Sequence, residues 1–475
     1  MSAQILLQGT LPGAEEFLLS PPADKDNRAF EARLMWLTLL DEALPRALLA
    51  ELGLPPLMLG ASGGGRFLVI LPDRTRADAA AGFLRRASAA IEAATAGAVR
   101  IVWSATENLG DWTVVRKRLS DAMAEMRASR VMEPDFFDPF PPASAPADSI
   151  PRGLRDAGGI GWSFDFPALI AVEGGQPRWD LGRQASFDNI SVPRHAARNG
   201  EAVASAKELA KRSRGHKLWG ILRGEIDDFA TRLRRVQSVE EHVHLALLYK
   251  QFLSGEIDLL CSQGEYFQRI TVLRTGTADF AVMGSWDALA GFARELDRVF
   301  RVFAAENLKE LPGAEAKTFT MAITLAEPGA ALVRVWEQSL RDLEVAKSAD
   351  KDCLYILGKV LEWKQLNDAA DLKDAIVELN EEFRGGKHFL TQLRNLYNKV
   401  ETPDRSASQA DHERLLTRTI RFQRRFARVA NRREREFQKL RSHLMKELAG
   451  RNTRGKLKLR PEGLVALEWA RLAED

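Results

Sequence analysis

Only two cysteines occur in the 475 residues, Cys261 and Cys353. Far apart in sequence, they support neither a disulfide framework nor a cysteine zinc motif, and a reducing, cytoplasmic setting is the simplest expectation. Long apolar runs are missing too. No segment approaches the ~18 apolar residues of a membrane span. The short run Ile5-Leu6-Leu7 has no basic flank before it, so the sequence is expected to be neither exported nor inserted in a membrane. A third scarcity is local. From Arg414 to Arg460 only three acids, Glu434, Glu436 and Glu447, accompany 17 Lys or Arg.

That stretch carries +14, and the rest of the chain carries −11 (51 basic against 62 acidic residues), within a total of +3. A basic tail on an acidic body points to a polyanion or an acidic protein surface as partner. With so few acids, salt bridges between i and i+4 cannot account for the excess. Arg421, Arg424, Arg425, Arg428, Arg432, Arg433 and Arg435 together make an arginine-rich surface suited to phosphates, and RNA or DNA is the expected ligand.

The length implies two to four domains, and the 45% hydrophobic content implies a globular protein. Periodicity predicts a strand at 5–7, a helix at 31–51 that Pro45 should kink or divide, strands at 57–59 and 67–71, a helix at 77–94 and a strand at 99–105. The order is βαββαβ, a ferredoxin-like unit. Six prolines within 133–151 predict a linker. The order then returns: a strand at 218–226, a helix at 239–253, a hairpin of 267–273 and 280–283, a helix at 286–306, a strand at 319–325, a helix at 331–347 and a strand at 353–358. After Asp368 only helical periodicity remains, with an apolar stripe through Leu415, Phe422, Phe426, Val429, Phe437, Leu440, Leu444 and Leu448.

The predicted class is therefore α+β: two tandem ferredoxin-like (palm, βαββαβ) domains followed by a C-terminal helical bundle. The segments are 1–132, a Pro-rich linker and small domain at 133–205, a second palm-like domain at 206–370 and a basic helical domain at 371–475. Two weaker features carry ordinary readings. His242 and His244 lie two apart on a predicted helix and point in different directions, as surface or boundary histidines do. Gly63-Gly64-Gly65 joins two strands rather than a strand and a helix, so it reads as a tight hairpin and not as a phosphate loop.

The motif order resembles the large, palm-containing subunit of type III CRISPR effector complexes. Gly64-Gly65-Arg66-Phe67-Leu68-Val69-Ile70-Leu71-Pro72 is similar to the first palm's glycine pair, aromatic and apolar strand; Thr10 to Phe17 stands where that palm opens. Val192-Pro193-Arg194 and Glu208-Leu209-Ala210-Lys211 match segments before the second palm. Arg223-Gly224-Glu225-Ile226-Asp227-Asp228-Phe229-Ala230 resembles its Arg-x-Asp-Val-Asp-Asn-Leu-Gly signature. Gly276-Thr277-Ala278-Asp279 and Gly284-Ser285-Trp286-Asp287 stand for its Gly-Gly-Asp-Asp hairpin and Gly-x-Trp-Asp, with Ala346-Lys347 and Leu361-Glu362-Trp363 following.

The departures matter as much. The family's amino-terminal His-Asp nuclease domain and its inter-palm cysteine cluster are not found, and Ala278 replaces a metal-binding aspartate. The resemblance implies metal ligands at Glu225, Ala278 and Asp279. Glu225 keeps the charge with an extra methylene, and Thr277 replaces a glycine that lets phosphate approach. The expectation is a scaffold subunit with neither cyclase nor DNase activity and no required cofactor. Its implied partners are CRISPR guide RNA, target RNA, the repeated backbone subunits, the guide-end capping subunit and the helical small subunit, and no membrane. Thr391 to Asn398 resembles that small subunit faintly. Two alternatives stay open. One is a divergent cyclase making cyclic oligoadenylate, with Mg or Mn held by Glu225, Asp227 and Asp279, and ATP met by Gly276 and Lys347. The other is a free-standing nucleic-acid-binding protein.

Overall fold

The computed structural model describes residues 4–21, 26–129, 149–182, 189–309, 317–382, 450–451, 457–458 and 461–473. They fall into two compact units, the first of residues up to Ser213 with Leu218–Lys351, the second of Arg214–Lys217 with the residues after Lys351.

The first unit opens with β1 (Ile5–Thr10), α1 (Ala14–Leu19), α2 (Asn27–Glu51), β2 (Leu59–Gly63), β3 (Arg66–Leu71), α3 (Arg74–Ala94), β4 (Val102–Glu107) and α4 (Trp112–Ser129). The sheet order is β2-β3-β1-β4, with every pairing antiparallel. The period-2 alternation of β1 sends Ile5 and Leu7 into the main core with Leu34, Leu40 and Phe83. Its other face receives α4, whose Leu119 carbonyl accepts a hydrogen bond from Ser104 Oγ of β4 (3.0 Å). Asp26 and Asp73 cap α2 and α3 by accepting from Arg28 N and Arg76 N.

A small sheet follows, β5 (Gly159–Trp162), β6 (Ile170–Ala171), β7 (Arg178–Gly182) and β8 (Asn189–Ser191), in the order β6-β5-β7-β8. After it come the pair β9 (Arg198–Asn199) and β10 (Ala202–Val203) and the helix α5 (Ala206–Lys211), which a Ser205/Glu208 capping box starts. The second large sheet is built from β11 (Trp219–Ile226), α6 (Phe229–Arg235), α7 (Val239–Cys261), β12 (Ile270–Thr275), β13 (Asp279–Ser285), α8 (Trp286–Asn307), β14 (Phe319–Ala326) and α9 (Leu332–Ala349). Its strands lie β12-β13-β11-β14, again antiparallel and again with the second, third, first and fourth strands side by side. One face packs the aromatic group Phe280, Phe300 and Phe319 with α8. On the other, Arg223 reaches Trp336 of α9, its guanidinium carbon 4.0 Å from the ring centroid.

Helix α2 touches both sheets, which explains its nearly unbroken burial from Leu34 to Leu44. Pro45 does not divide it: the helix runs from Asn27 to Glu51 as one element. Burial on both sides outweighs the one backbone hydrogen bond that proline removes. The expected strand at 57–59 is a 3-10 turn (Pro56–Met58) ahead of β2, because Pro55 and Pro56 restrict that stretch. Helix α4 was not anticipated from periodicity.

The second unit holds β15 (Cys353–Ile356) and β16 (Lys359–Glu362) as a hairpin, α10 (Trp363–Glu382), the pair β17 (Gly450–Arg451) and β18 (Leu457–Lys458), and α11 (Pro461–Ala473). Helices α10 and α11 pack together, and His216 N donates to Leu472 O (2.8 Å). The seven tail arginines from Arg421 to Arg435, the apolar stripe, Thr391 to Asn398 and the proline run at 134–146 lie outside the described residues.

One buried ion pair ties α2 to α7. Lys250 Nζ lies 2.6 Å and 2.7 Å from the two Glu42 oxygens, and Arg46 and Ser62 Oγ each reach Glu42 Oε2 at 2.8 Å. Burial alone would raise the Glu42 pKa, but the Lys250 and Arg46 charges outweigh it and hold the carboxyl at about 2. A lowered folded-state pKa gives stability that is full above the ordinary carboxyl value of 4.5 and is lost as pH falls toward 2. Lys250→Met, which leaves Arg46 as the one cation on the buried carboxylate, is expected to cost up to about 3 kcal/mol, and Glu42→Gln to flatten the acid limb of a plot of Tm against pH. An unchanged acid limb in Glu42→Gln would show that the pair contributes no such stability.

Candidate functional site

The site starts from strand register. Glu225 sits directly across from Asp279 between β11 and β13, so the two carboxylates share one face of the second sheet. Asp279 opens β13 immediately after the turn Gly276-Thr277-Ala278, which Gly276 N closes by donating to Asp279 O (2.7 Å). Ala278 O in turn accepts from Ile226 N (2.8 Å). The backbone of a two-carboxylate hairpin is thus present, and the side chain at 278 offers no donor atom.

The turn meets a second turn. Gly63, Gly64 and Gly65 join β2 to β3, and all three have positive φ (119°, 64° and 72°), which favours glycine. Thr277 Oγ1 donates to Gly63 O (3.2 Å). A Cβ added to Gly276 would stand 3.2 Å from Gly64 Cα and 2.0 Å from Asp279 Oδ1. A side chain at 276 would therefore displace the Asp279 carboxylate and press on the opposite backbone.

Behind the two turns lies a buried charged layer. Asp41 of α2 accepts from Gly65 N (2.7 Å), and burial, opposed by Arg274, pushes its carboxyl up to about 7. Arg274 of β12 faces Glu15 (3.6 Å). Burial works against its charge, yet Asp279, Asp41 and Glu15 outweigh that and raise it above the ordinary guanidinium value. Arg223 stacks on Trp336, whose Nε1 donates to Glu15 Oε2 (2.9 Å); burial lowers the Arg223 pKa to about 10. Arg223 Nη2 is buried without a hydrogen-bond partner.

The fold brings together Glu225, Asp279, Gly276 and Lys347, but not in a metal-binding arrangement. Lys347 Nζ lies 2.9 Å from Glu225 Oε2 and 3.0 Å from Glu344 Oε1. Partial burial pulls the Lys347 pKa down, and the two carboxylates more than reverse it. Asp227 is drawn toward β14, where the hydroxyls of Thr318 and Thr320 donate to its two oxygens at 2.7 and 2.6 Å. Asp228 beside it pairs with Lys351 (2.6 Å). His242 packs on Trp112 (centroids 5.3 Å), and burial, aided by the charge of Arg116, lowers its pKa to about 4.

Two-metal phosphoryl transfer needs several carboxylate oxygens converging from adjacent strands. Among the described residues no group of three or more His, Cys, Asp or Glu is placed to hold a metal ion. Of the candidate donors, Glu225 is neutralised by a lysine, Asp227 is spent on threonines, and position 278 is alanine. The residues present do not fit a two-metal centre. Sequence reasoning overlooked Glu15, Asp41, Arg223 and Arg274 as members of this layer; a buried arginine flanking each candidate carboxylate was the available signal.

No family model and no curated protein matches the chain. Solved structures do. The chain is similar to Csm1 in a Csm1-Csm4 cassette in complex with pppApA, at 15% identity and a TM-score of 0.72, over 100% of this chain and 70% of that one. It is similar to Csm1 in T.onnurineus at 15% identity and 0.70, over 99% and 69%. A third is the Csm1-Csm4 subcomplex in the type III-A CRISPR-Csm interference complex, at 15% identity and 0.69, over 99% and 70%. The chain therefore has the fold of Csm1. No helix among the described residues is long and apolar enough to cross a membrane.

The Lys347–Glu225 pair yields a test. Ala278→Asp alone is expected to leave calorimetric manganese binding undetectable, because Lys347 still holds Glu225. Ala278→Asp combined with Lys347→Ala is expected to show weak saturable binding. Binding by the single variant as strong as by the double would refute the role given to Lys347.

Proposed function

We propose that this chain is the scaffolding large subunit of a type III CRISPR ribonucleoprotein. In this reading its two large sheets are palm-like, ferredoxin-like domains in tandem, and the glycine turns join them instead of performing nucleotidyl transfer. The likeness to Csm1 over nearly the whole chain supports the assembly role. The observation that carries the loss of chemistry is the hairpin itself: alanine stands at one carboxylate position, and the carboxylate across from the other is ion-paired to Lys347 at 2.9 Å. Losing even an indirect metal contact costs about 10- to 100-fold in affinity or activity, and losing a direct ligand costs at least that.

The partners under this reading are guide RNA, target RNA, the repeated backbone subunits, a helical small subunit and a capping subunit in the place that Csm4 takes beside Csm1. The arginine-rich tail would meet phosphates. A second reading, a divergent cyclase, is favoured by one specific observation, the pppApA in a similar Csm1-Csm4 cassette. In that case Glu225, Asp279 and Lys347 would be the groups nearest the nucleotide.

Pull-down of the tagged chain from its native host separates the readings. The scaffold is expected to recover repeat-derived guide RNA with backbone subunits, and purified protein to consume no ATP with magnesium or manganese. Clean protein without RNA or partners would sink the scaffold, and ATP turnover abolished by Asp279→Ala would establish the cyclase.

A further inference from the structure

Helix α4 carries two arginines on one edge. Arg127 follows Arg116 by eleven residues, which at 3.6 residues per turn returns it to within about 20° of the same azimuth and about 16 Å along the axis. Each guanidinium is held by one of its nitrogens. Arg127 Nη2 donates to Thr10 Oγ1 (3.3 Å), and Arg116 Nη1 donates to Leu233 O near the end of α6 (2.7 Å). The row extends at both ends. Arg66 is the cross-strand partner of Thr10, so it projects from the same sheet face as the Arg127 contact, and it is exposed. At the other end Arg234 of α6 is exposed, with its Nη2 on Thr231 Oγ1 (2.9 Å).

Among the described residues none of these four arginines forms an ion pair, unlike Arg46, Arg269 and Arg301 elsewhere in the unit. The acids of α4 lie elsewhere on the helix: Asp121 and Glu125 stand about 140° and about 180° around the axis from Arg116. The field along this edge is positive. Arg116 is held below the ordinary guanidinium range by burial and by Arg234, and His242 feels burial and Arg116. Helix-dipole stabilisation explains Arg234 at the end of α6. It does not explain why Arg116, Arg127 and Arg66 continue the row away from that end.

We propose that this edge, Arg66-Arg127-Arg116-Arg234, tracks the phosphate backbone of a single-stranded RNA. One row of guanidinium forks suits one strand, since a duplex presents two phosphate rows. Ser120 stands beside the arginines, and Met123, the apolar side chain nearest their azimuth, is buried, so this edge exposes no large apolar group of the kind a folded protein partner would bury at its centre. The inference rests on the ribonucleoprotein reading and deepens it by giving the RNA a contact on the first sheet's outer helix, separate from the tail.

The test uses the full chain, a short labelled single-stranded RNA, and affinities measured across a salt series. Each lost phosphate contact removes about 0.7 from the slope of log affinity against log salt. Arg66→Gln, Arg116→Gln, Arg127→Gln and Arg234→Gln together are expected to lower the slope by about 2 to 3 at unchanged Tm. The four Arg→Lys replacements are expected to keep it, and ultraviolet crosslinks should map to α4 peptides. An unchanged slope with crosslinks only in the tail, or equal loss in the lysine set, would overturn the proposal and leave the ribonucleoprotein standing. Failure of both proteins to bind RNA at all would overturn both.

Discussion

The contact on which the rest of the first unit depends is backbone to backbone. Gly64 and Gly276 let the turns of two sheets approach so closely that a single methyl group at Gly276 would press against Gly64 Cα and displace the Asp279 carboxylate. Thr277 bridges the same gap to Gly63 O. Once the turns meet, charges that would ordinarily face water are enclosed. Asp41, Arg274, Glu15 and Arg223 are met by the Gly65 N–H, an Arg274–Glu15 ion pair and Trp336, and only Arg223 Nη2 is left without a hydrogen-bond partner. Burying such groups is costly unless they are paired. The layer therefore specifies how the turns meet more than it adds stability.

The same logic applies at the hairpin, where one carboxylate position is alanine and the carboxylate across from the other is paired with a lysine. In a metal centre, cations from solution would neutralise Glu225 and Asp279. Here lysine and arginine do so from within: Lys347 on α9 meets Glu225, and Arg274 and Arg223 supply the positive field around Asp279. Thr318 and Thr320 complete the change by occupying both oxygens of Asp227.

Much of this was legible in the sequence because it follows from period and order. Both strand-helix-hairpin-helix-strand series appear close to where the alternation of apolar residues placed them, except that 56–58 is a 3-10 turn, and the glycine triplet is the hairpin its flanking strands required. The missing donor at Ala278 needed no structure. What could not be read was tertiary. Lys347 is 122 residues from Glu225, and nothing local marks the two as partners. Helix α2 was expected to be kinked or divided at Pro45, and burial against two sheets keeps it undivided. Helix α4 escaped notice since its charged residues, Arg116 to Arg118, interrupt the apolar period; those same residues give it a surface of interest.

The most direct measurement of the central claim is manganese binding by the unaltered full chain in the presence of ATP, followed by electron paramagnetic resonance of the free ion. The account predicts that added manganese stays free, apart from what ATP itself binds, and that Asp279→Ala changes nothing. Stoichiometric uptake by the protein that Asp279→Ala abolishes would contradict it and return the hairpin to catalysis.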